Sequence, residues 1–599
     1  LIYGADVKDD EEITRDNFVD IIDDVSWEEF MPKGVTKDIY RKFKKYYEED
    51  VFIGAGRRIR NIAKSADELT PTERVIKIAD LFSTFKNPDK ETVLTPWRVV
   101  NMHMGDTLGG YDFFNEDHSE VLEEPRFRDN GQVAKDTLAN VDAKILEINS
   151  KTGLYPLYVT YSIYRKKLDE IPENERTAEK QFELWKDTVE KNVFIICKTP
   201  MAKSITKRTL LGYRKGKINA HAFDDLIMQI KNKPEQFRDK ILKGSTWNKQ
   251  EEVMKFDAIV GNPPYQLQDS GDNKDSKVSR TSAVPIYQFF ASQAKKITNR
   301  YLSLIIPSRW MTGGRGLDNF REENLNDVHF TLIHDYENDQ DIFPNTDIGG
   351  GIMYFLWDKN YNGQLDYYMH NNVAITKTKR YLNTGDSIII RDYNSSIIVK
   401  KSHSEHSFME LVSSQKPFGL RADIIRTKPE YFSNIQTREN EIKFFAWDGV
   451  PTIKFISKKN LKNSYAVEKW KVFLSKTADP PIRFGRENNE ILRKPFLGEP
   501  NNACSETYIM VGPFNNDFEA KACLKYIKTK FLRFLVLQKK KTQNVSKEVF
   551  EFVPLQDFTD KSDIDWSKSI PEIDQQLYKK YNLTEDEINF IESKIKAME

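Results

Sequence analysis

The chain has 599 residues, more than a single hydrophobic core serves, and a length of roughly three domains. Hydrophobic residues make up 39% and aromatic residues 12%, as in an ordinary folded protein. With 91 basic against 91 acidic residues, a global positive field is excluded, and any polyanion contact must come from local basic faces.

The three cysteines, Cys197, Cys504 and Cys523, match no zinc or redox spacing and fit a reducing cytosol. The eight histidines show no metal pattern, and no metal is expected. No run of about 18 apolar residues predicts a membrane helix, and no signal peptide is visible. Leu1 in place of Met, with a start that reads as mid-domain, suggests a piece of a longer polypeptide.

Residues 1–90 are charged and rich in helix formers. Apolar residues recur at helical spacing from Lys37 onward and over 71–82, with Pro71 suited to a first turn. The segment reads as a helical connector. From 91 to 370, strand-like apolar runs at 143–148, 193–197, 257–260, 302–306 and 352–357 alternate with longer amphipathic segments. That alternation predicts an α/β domain on a mostly parallel sheet, with ligands at the carboxyl ends of its strands.

Four places in this region carry candidate chemistry. Thr95-Pro96 predicts a capped helix start. The stretch from Ala143 through Glu147, Asn149 and Gly153 to Tyr155 reads as strand, loop and helix. The run 193–197 ends in Lys198-Thr199-Pro200 with no acid, and Asp224-Asp225 follow in a later loop. Finally, Phe256-Asp257-Ala258-Ile259-Val260-Gly261 runs into Asn262-Pro263-Pro264-Tyr265. Two prolines fix φ and remove two donors, so carbonyls there remain acceptors. The Asn262 side chain and the Pro263 carbonyl can together hold the two hydrogens of an exocyclic amine, while the Tyr265 ring stacks on a planar base.

From 371 to 599 the pattern changes to short strand-like runs, turns and late helices. One helix is expected from Asp517 as its cap, with Cys523, Leu524, Ile527, Phe531, Phe534 and Leu535 on one face. Thr584 to Glu587 forms a capping box for the last helix. Between them, Lys539, Lys540, Lys541, Gln543 and Asn544 make a basic, amide-bearing loop suited to phosphates and base edges.

The Asn262–Tyr265 string resembles the catalytic motif of S-adenosylmethionine-dependent amino-methyltransferases. The order of the Thr95 segment, the 147–153 loop and the Asn262 loop, followed by a long tail, resembles gamma-class adenine methyltransferases of restriction–modification systems, closest to the fused type IIG and single-chain type I enzymes. The resemblance implies a Rossmann-like methyltransferase domain over 91–370 and an α+β target-recognition domain over 371–599. It implies S-adenosyl-L-methionine as cofactor, double-stranded DNA as partner, and nuclease or helicase domains upstream. Asn262, Pro263, Pro264 and Tyr265 take the catalytic places. Thr95, Pro96, Glu147, Asn149 and Gly153 take cofactor places, Thr199 stands where the family has a ribose-binding acid, and Asp224 or Asp225 falls near the adenine. Phe343 or Tyr354 falls where an aromatic packs on the flipped base. The departures are a glycine-poor loop, with Asn149 and Lys151, and the missing acid after Ile196. Two alternatives stay open: a glutamine or RNA methyltransferase sharing the loop, and a non-catalytic specificity module with a decayed cofactor site. No phosphate loop of the Gly-Lys-Ser/Thr type and no nuclease cluster is found.

Overall fold

The computed structural model describes the chain except residues 9–10, 88–92, 267–284, 315, 345, 347, 372–374, 384, 386–387, 437–440, 448, 479–489, 541–542 and 599. Its contacts divide it into Leu1–Ile389 and Ile390–Glu599.

In the first unit, the N-terminal region is helical, and several of its helices have side-chain caps. Helix α1 (Asp24–Phe30) begins at Asp23, whose carboxylate accepts from Ser26 N. Helix α2 (Pro71–Ser83) has Pro71 in its first turn and a Thr70–Glu73 capping box. Helix α3 (Trp97–Thr107) leads into the sheet domain, where α4 (Leu154–Asp169) and α5 (Pro200–Leu211) are crossover helices. Phe18, Trp27 and Tyr40 of the N-terminal region share one core with Met201 and Ile205 of α5. These helices of the N-terminal region are therefore packed against α5 of the sheet domain.

The central sheet has nine strands: β1 (Ile145–Ser150), β2 (Val193–Cys197), β3 (Asn219–Ala222), β4 (Phe256–Gly261), β5 (Thr298–Pro307), β6 (Phe330–Tyr336), β7 (Ile352–Asp358), β8 (Leu365–His370) and β9 (Ile375–Arg380). Their order is β9-β8-β6-β7-β5-β4-β1-β2-β3. Strands β3, β2, β1, β4 and β5 run parallel, and β7 lies antiparallel between β5 and β6. All five residues of β2 and all six of β1 are buried, as expected of central parallel strands covered on both faces. The five apolar runs seen in the sequence are β1, β2, β4, β5 and β7. Strand β9 continues the sheet past residue 370, and the division between the units falls after Ile389. The chain leaves β1 toward β2 on one side and returns to β4 on the other. That reversal opens a crevice at the carboxyl ends of β1 and β4, the general place for ligands in such sheets.

The second unit carries a four-stranded and a three-stranded sheet with helices around two apolar clusters. The expected helix at 517 is two helices, Asp517–Lys528 and Lys530–Lys539. Asn516, not Asp517, caps the first, accepting from Glu519 N at 2.9 Å. Thr529 breaks the run because its hydroxyl caps the second helix. The Thr584–Glu587 capping box is present. Among the described residues no helix is long and apolar enough to cross a membrane.

Candidate functional site at the carboxyl edge of the sheet

Strand β4 ends at Gly261 with φ at 141°, a conformation that L side chains rarely adopt. The next residue, Asn262, is tied at two points. Its Nδ2 donates to Thr95 Oγ1 at 3.0 Å, and its main-chain carbonyl accepts from Asn149 Nδ2 at 3.1 Å. The remaining polar atom, Oδ1, is buried without a hydrogen-bond partner. Thr95 is thus no helix cap: α3 starts at Trp97 with Pro96 in the cap position and no side-chain cap. The Thr95 hydroxyl instead fixes the orientation of the Asn262 amide by holding its nitrogen end. Pro263 is buried and Pro264 half-buried. Tyr265 is 8% exposed, its buried hydroxyl makes no well-formed hydrogen bond, and burial drives its acidity well below that of an ordinary phenol, against an opposing interaction with the Asn262 side chain.

On the neighbouring strand, Glu147 is buried, and its Oε2 has no partner. Burial pushes its pKa up to about 8, against an opposing hydrogen bond from Ser150. Asn149 holds φ at 103° and keeps its own Oδ1 buried and unpartnered. Asn149 therefore couples the β1 loop to the Asn262 loop. Gly153, at the start of α4, has φ at 78°, and a Cβ there would lie 3.0 Å from Thr206 Cα. Both conformation and space demand glycine.

The edge of β2 departs from the sequence expectation. Thr199 is wholly buried. Its Oγ1 accepts from Ala202 N as the cap of α5 and donates to Glu29 Oε2 at 2.5 Å. The hydroxyl is spent on these two partners, so Thr199 is not the ligand-facing substitute for an acid. Glu29, in α1, is 3% exposed, and its Oε1 is buried without a partner. Nothing in the sequence marks Glu29, which lies 170 residues from Thr199 in an acidic helix with no motif. After β3, Asp224 and Asp225 are exposed, and the Asp224 carbonyl accepts from Gln229 Nε2 at 2.5 Å.

In the core of the first unit, His103 lies between Tyr155 Oη at 2.7 Å and Ser303 Oγ at 2.8 Å. Burial lowers its pKa to about 3, so it is neutral. Tyr354 and Phe343 are core residues. Tyr354 donates to Asp106 Oδ2 and stacks on His334 with ring centres 4.8 Å apart, so neither aromatic presents a face to a base.

In the second unit, the basic loop is also not what its sequence suggests. Lys539 pairs with Glu551 at 2.6 Å and lies over the Phe552 ring. Lys540 is wholly buried, which removes it as a phosphate contact. Lys541 lies outside the described residues. Gln543 and Asn544 are exposed.

Residues 191–343, which contain β2 to β6 and the Asn262 loop, match the model of the Eco57I restriction-modification methylase family. The chain is 38% identical over 113 residues to a Mycoplasma pneumoniae protein described as an uncharacterized adenine-specific methylase. That stretch is 19% of this chain and 26% of the relative, so the match spans about a quarter of the relative's length. Among solved structures, the type IIL restriction-modification enzyme MmeI in complex with DNA matches at 9% identity, over 76% of this chain and 73% of that one, with a TM-score of 0.43. The type IIG restriction endonuclease BpuSI matches at 10% identity, over 93% and 69%, with a TM-score of 0.36.

Proposed function

We propose that this chain is a site-specific DNA adenine-N6 methyltransferase of restriction–modification type, using S-adenosyl-L-methionine. The observation that carries the reading is the Asn262 amide. Its nitrogen is tied to Thr95 and its backbone to Asn149, while its buried oxygen lacks a donor at the carboxyl edge of β4. A buried acceptor without a partner costs about 1–3 kcal/mol, and such sites persist where a ligand supplies the missing donor. An N6 amine is such a donor.

The target adenine is out of reach within a duplex, so it must leave the stack. The Tyr265 ring gives its flat face a partner. Asn262 Oδ1 and the Pro263 carbonyl accept the two N6 hydrogens and direct the nitrogen lone pair out of the ring plane. Positioning then carries most of the rate, with the Thr95 and Asn149 hydrogen bonds holding Asn262 in register.

The residues of the crevice fit the cofactor. Glu147 Oε2 and Asn149 Oδ1 are buried acceptors without partners, and Gly153 clears the backbone. A ligand bearing an ammonium group and hydroxyls supplies what they lack. When bound, the cofactor supplies an electrophilic methyl group. Glu147, held neutral at its raised pKa, gains a reason to ionise beside a cation.

We assign double-stranded DNA recognition to the second unit, with the exposed Gln543 and Asn544 amides as base-edge readers. Nuclease or helicase parts would belong to a longer parent chain or a partner. The test is incubation with methyl-labelled cofactor and plasmid DNA, followed by nucleoside analysis. Label in N6-methyladenine is expected. Label in protein or RNA alone would move the chain to another amino-methyltransferase class, and no label anywhere would leave a non-catalytic module.

A further inference from the structure

The crevice needs an acid that its own strands lack. In nucleotide-binding sheets of this topology, a carboxylate near the end of the second strand accepts from the ribose hydroxyls. Here β2 ends in Cys197-Lys198-Thr199, and no acid follows. We infer that Glu29, carried in from the N-terminal helix α1, is the carboxylate that binds the ribose diol of the cofactor. The inference rests on the methyltransferase reading above and adds to it a binding residue from outside the strand–loop motifs.

Four observations converge on Glu29. It is 3% exposed, which is rare for a carboxylate without a purpose. One of its oxygens accepts from the Thr199 hydroxyl, directly beyond the end of β2. The other is buried without any partner, so a donor is missing. The Cys197 thiol, the last residue of β2, is raised well above its ordinary value by burial and then by both the Glu147 and Glu29 carboxylates. The two acids therefore flank the same strand end, one from β1 and one from α1.

Helix α1 is anchored well enough to hold the acid in place. Ser26 Oγ accepts from Met201 N at 3.1 Å, in the first turn of α5. The Trp27 indole donates to the Val35 carbonyl at 2.7 Å and is buried with Phe18 and Tyr40. Thr199 then acts as a positioning residue. By capping α5 and donating to Glu29 Oε2, it turns Oε1 toward an incoming hydroxyl. The same geometry explains why a threonine suffices where an acid is expected: a second carboxylate at 199 would repel Glu29.

The experiment is calorimetric binding of S-adenosylhomocysteine and of its 2′-deoxyribose form to the full chain. Wild type is expected to prefer the ribose form. Glu29→Gln should weaken ribose-form binding roughly 10–100-fold, the range for a hydrogen bond to a charged acceptor, and leave the deoxy form nearly unchanged. Thermal unfolding without ligand checks that the variant is folded. Thr199→Val, which frees Glu29 from its hydroxyl, should erode the same preference by a smaller factor and serves as the second route if Glu29→Gln does not fold. Undiminished ribose preference in either folded variant overturns the role of Glu29 while leaving the methyltransferase reading intact. A wild type that binds neither compound overturns both.

Discussion

Two parts of the molecule gather polar side chains, and they differ in what those groups lack. At the carboxyl edge of the first unit's sheet, Glu147, Asn149, Asn262 and Tyr265 each keep a buried polar atom without a partner. In the basic loop of the second unit, Lys539 is paired with Glu551 and Lys540 is enclosed. Unpartnered buried groups cost stability unless something outside the chain completes them. A run of lysines has no such implication, since the fold can absorb its charges. Such atoms occur elsewhere too, at Ser402 and Arg533 of the second unit for example, so it is their clustering on adjacent strand ends that sets the edge of β1 and β4 apart from the lysine run.

The largest effect is expected at Asn262. Asn262→Ala removes the orphan acceptor and leaves Thr95 and Asn149 in place. Methyl transfer should fall by about 10²–10³-fold or more, the range for losing one preorganised polar group, with DNA affinity nearly unchanged. Single-turnover transfer with DNA binding measured alongside checks this, and wild-type-like turnover would remove the edge of β4 from the chemistry.

Glu147 tests the cost side of the comparison. Its folded pKa of about 8 lies above the ordinary 4.5, so the folded state holds the proton more tightly than the unfolded chain. Stability from that proton is fully present below pH 4.5 and is lost as pH rises through 8. The slope is at most about 1.4 kcal/mol per pH unit. Glu147→Gln, neutral at every pH, should lack this slope. It should match or trail wild type near pH 4.5 and exceed it at pH 8 in urea unfolding. Parallel pH profiles would show that Glu147 is ionised at no cost, and therefore already satisfied.

Much of this edge was legible in sequence, and the reasons are local. Phe256 to Tyr265 encodes a buried strand, a positive-φ glycine and a proline-locked loop within ten residues, so one window holds the whole signal. Gly153 could be read from its place after an apolar strand. At Thr95 the local signal misleads: a threonine before proline signals a cap, yet its hydroxyl is engaged by Asn262, 167 residues later. Glu29 was beyond reach, because only the docking of α1 on α5 brings it to Thr199. Strand β9, Ile-Thr-Lys-Thr-Lys-Arg, is an exposed edge strand and carries no apolar run to read. Lys540 shows the converse error. Composition marks it as surface, and only the packing after Lys530–Lys539 encloses it.

Tyr265 sharpens the role of the site's apolar floor. Stacking on a base is worth roughly 1–3 kcal/mol, so Tyr265→Ala should weaken transfer by about 5–150-fold, while Tyr265→Phe should retain most of it. The buried hydroxyl makes no well-formed hydrogen bond, only a weak interaction with the Asn262 side chain, which is why phenylalanine is expected to serve. A Phe variant as poor as Ala would instead give that hydroxyl a donor role toward the substrate.

The smallest effect is expected in the second unit. Lys539→Ala removes a cation already paired with Glu551 and laid over Phe552. The pair is half-buried, with Lys539 15% exposed, and a lysine so engaged releases few counterions when DNA binds. Affinity for specific and random duplexes should therefore change little, and the slope of log affinity against log salt should stay as in wild type. Replacing both Gln543 and Asn544 by alanine should act differently. Their amides are exposed, and on the proposed assignment to base edges the gap between specific and random DNA should narrow with the salt slope unchanged. If Lys539→Ala instead lowers the salt slope by about one, Lys539 leaves Glu551 for a phosphate on binding. In that case pairing within the free protein would not be a guide to which charges serve DNA.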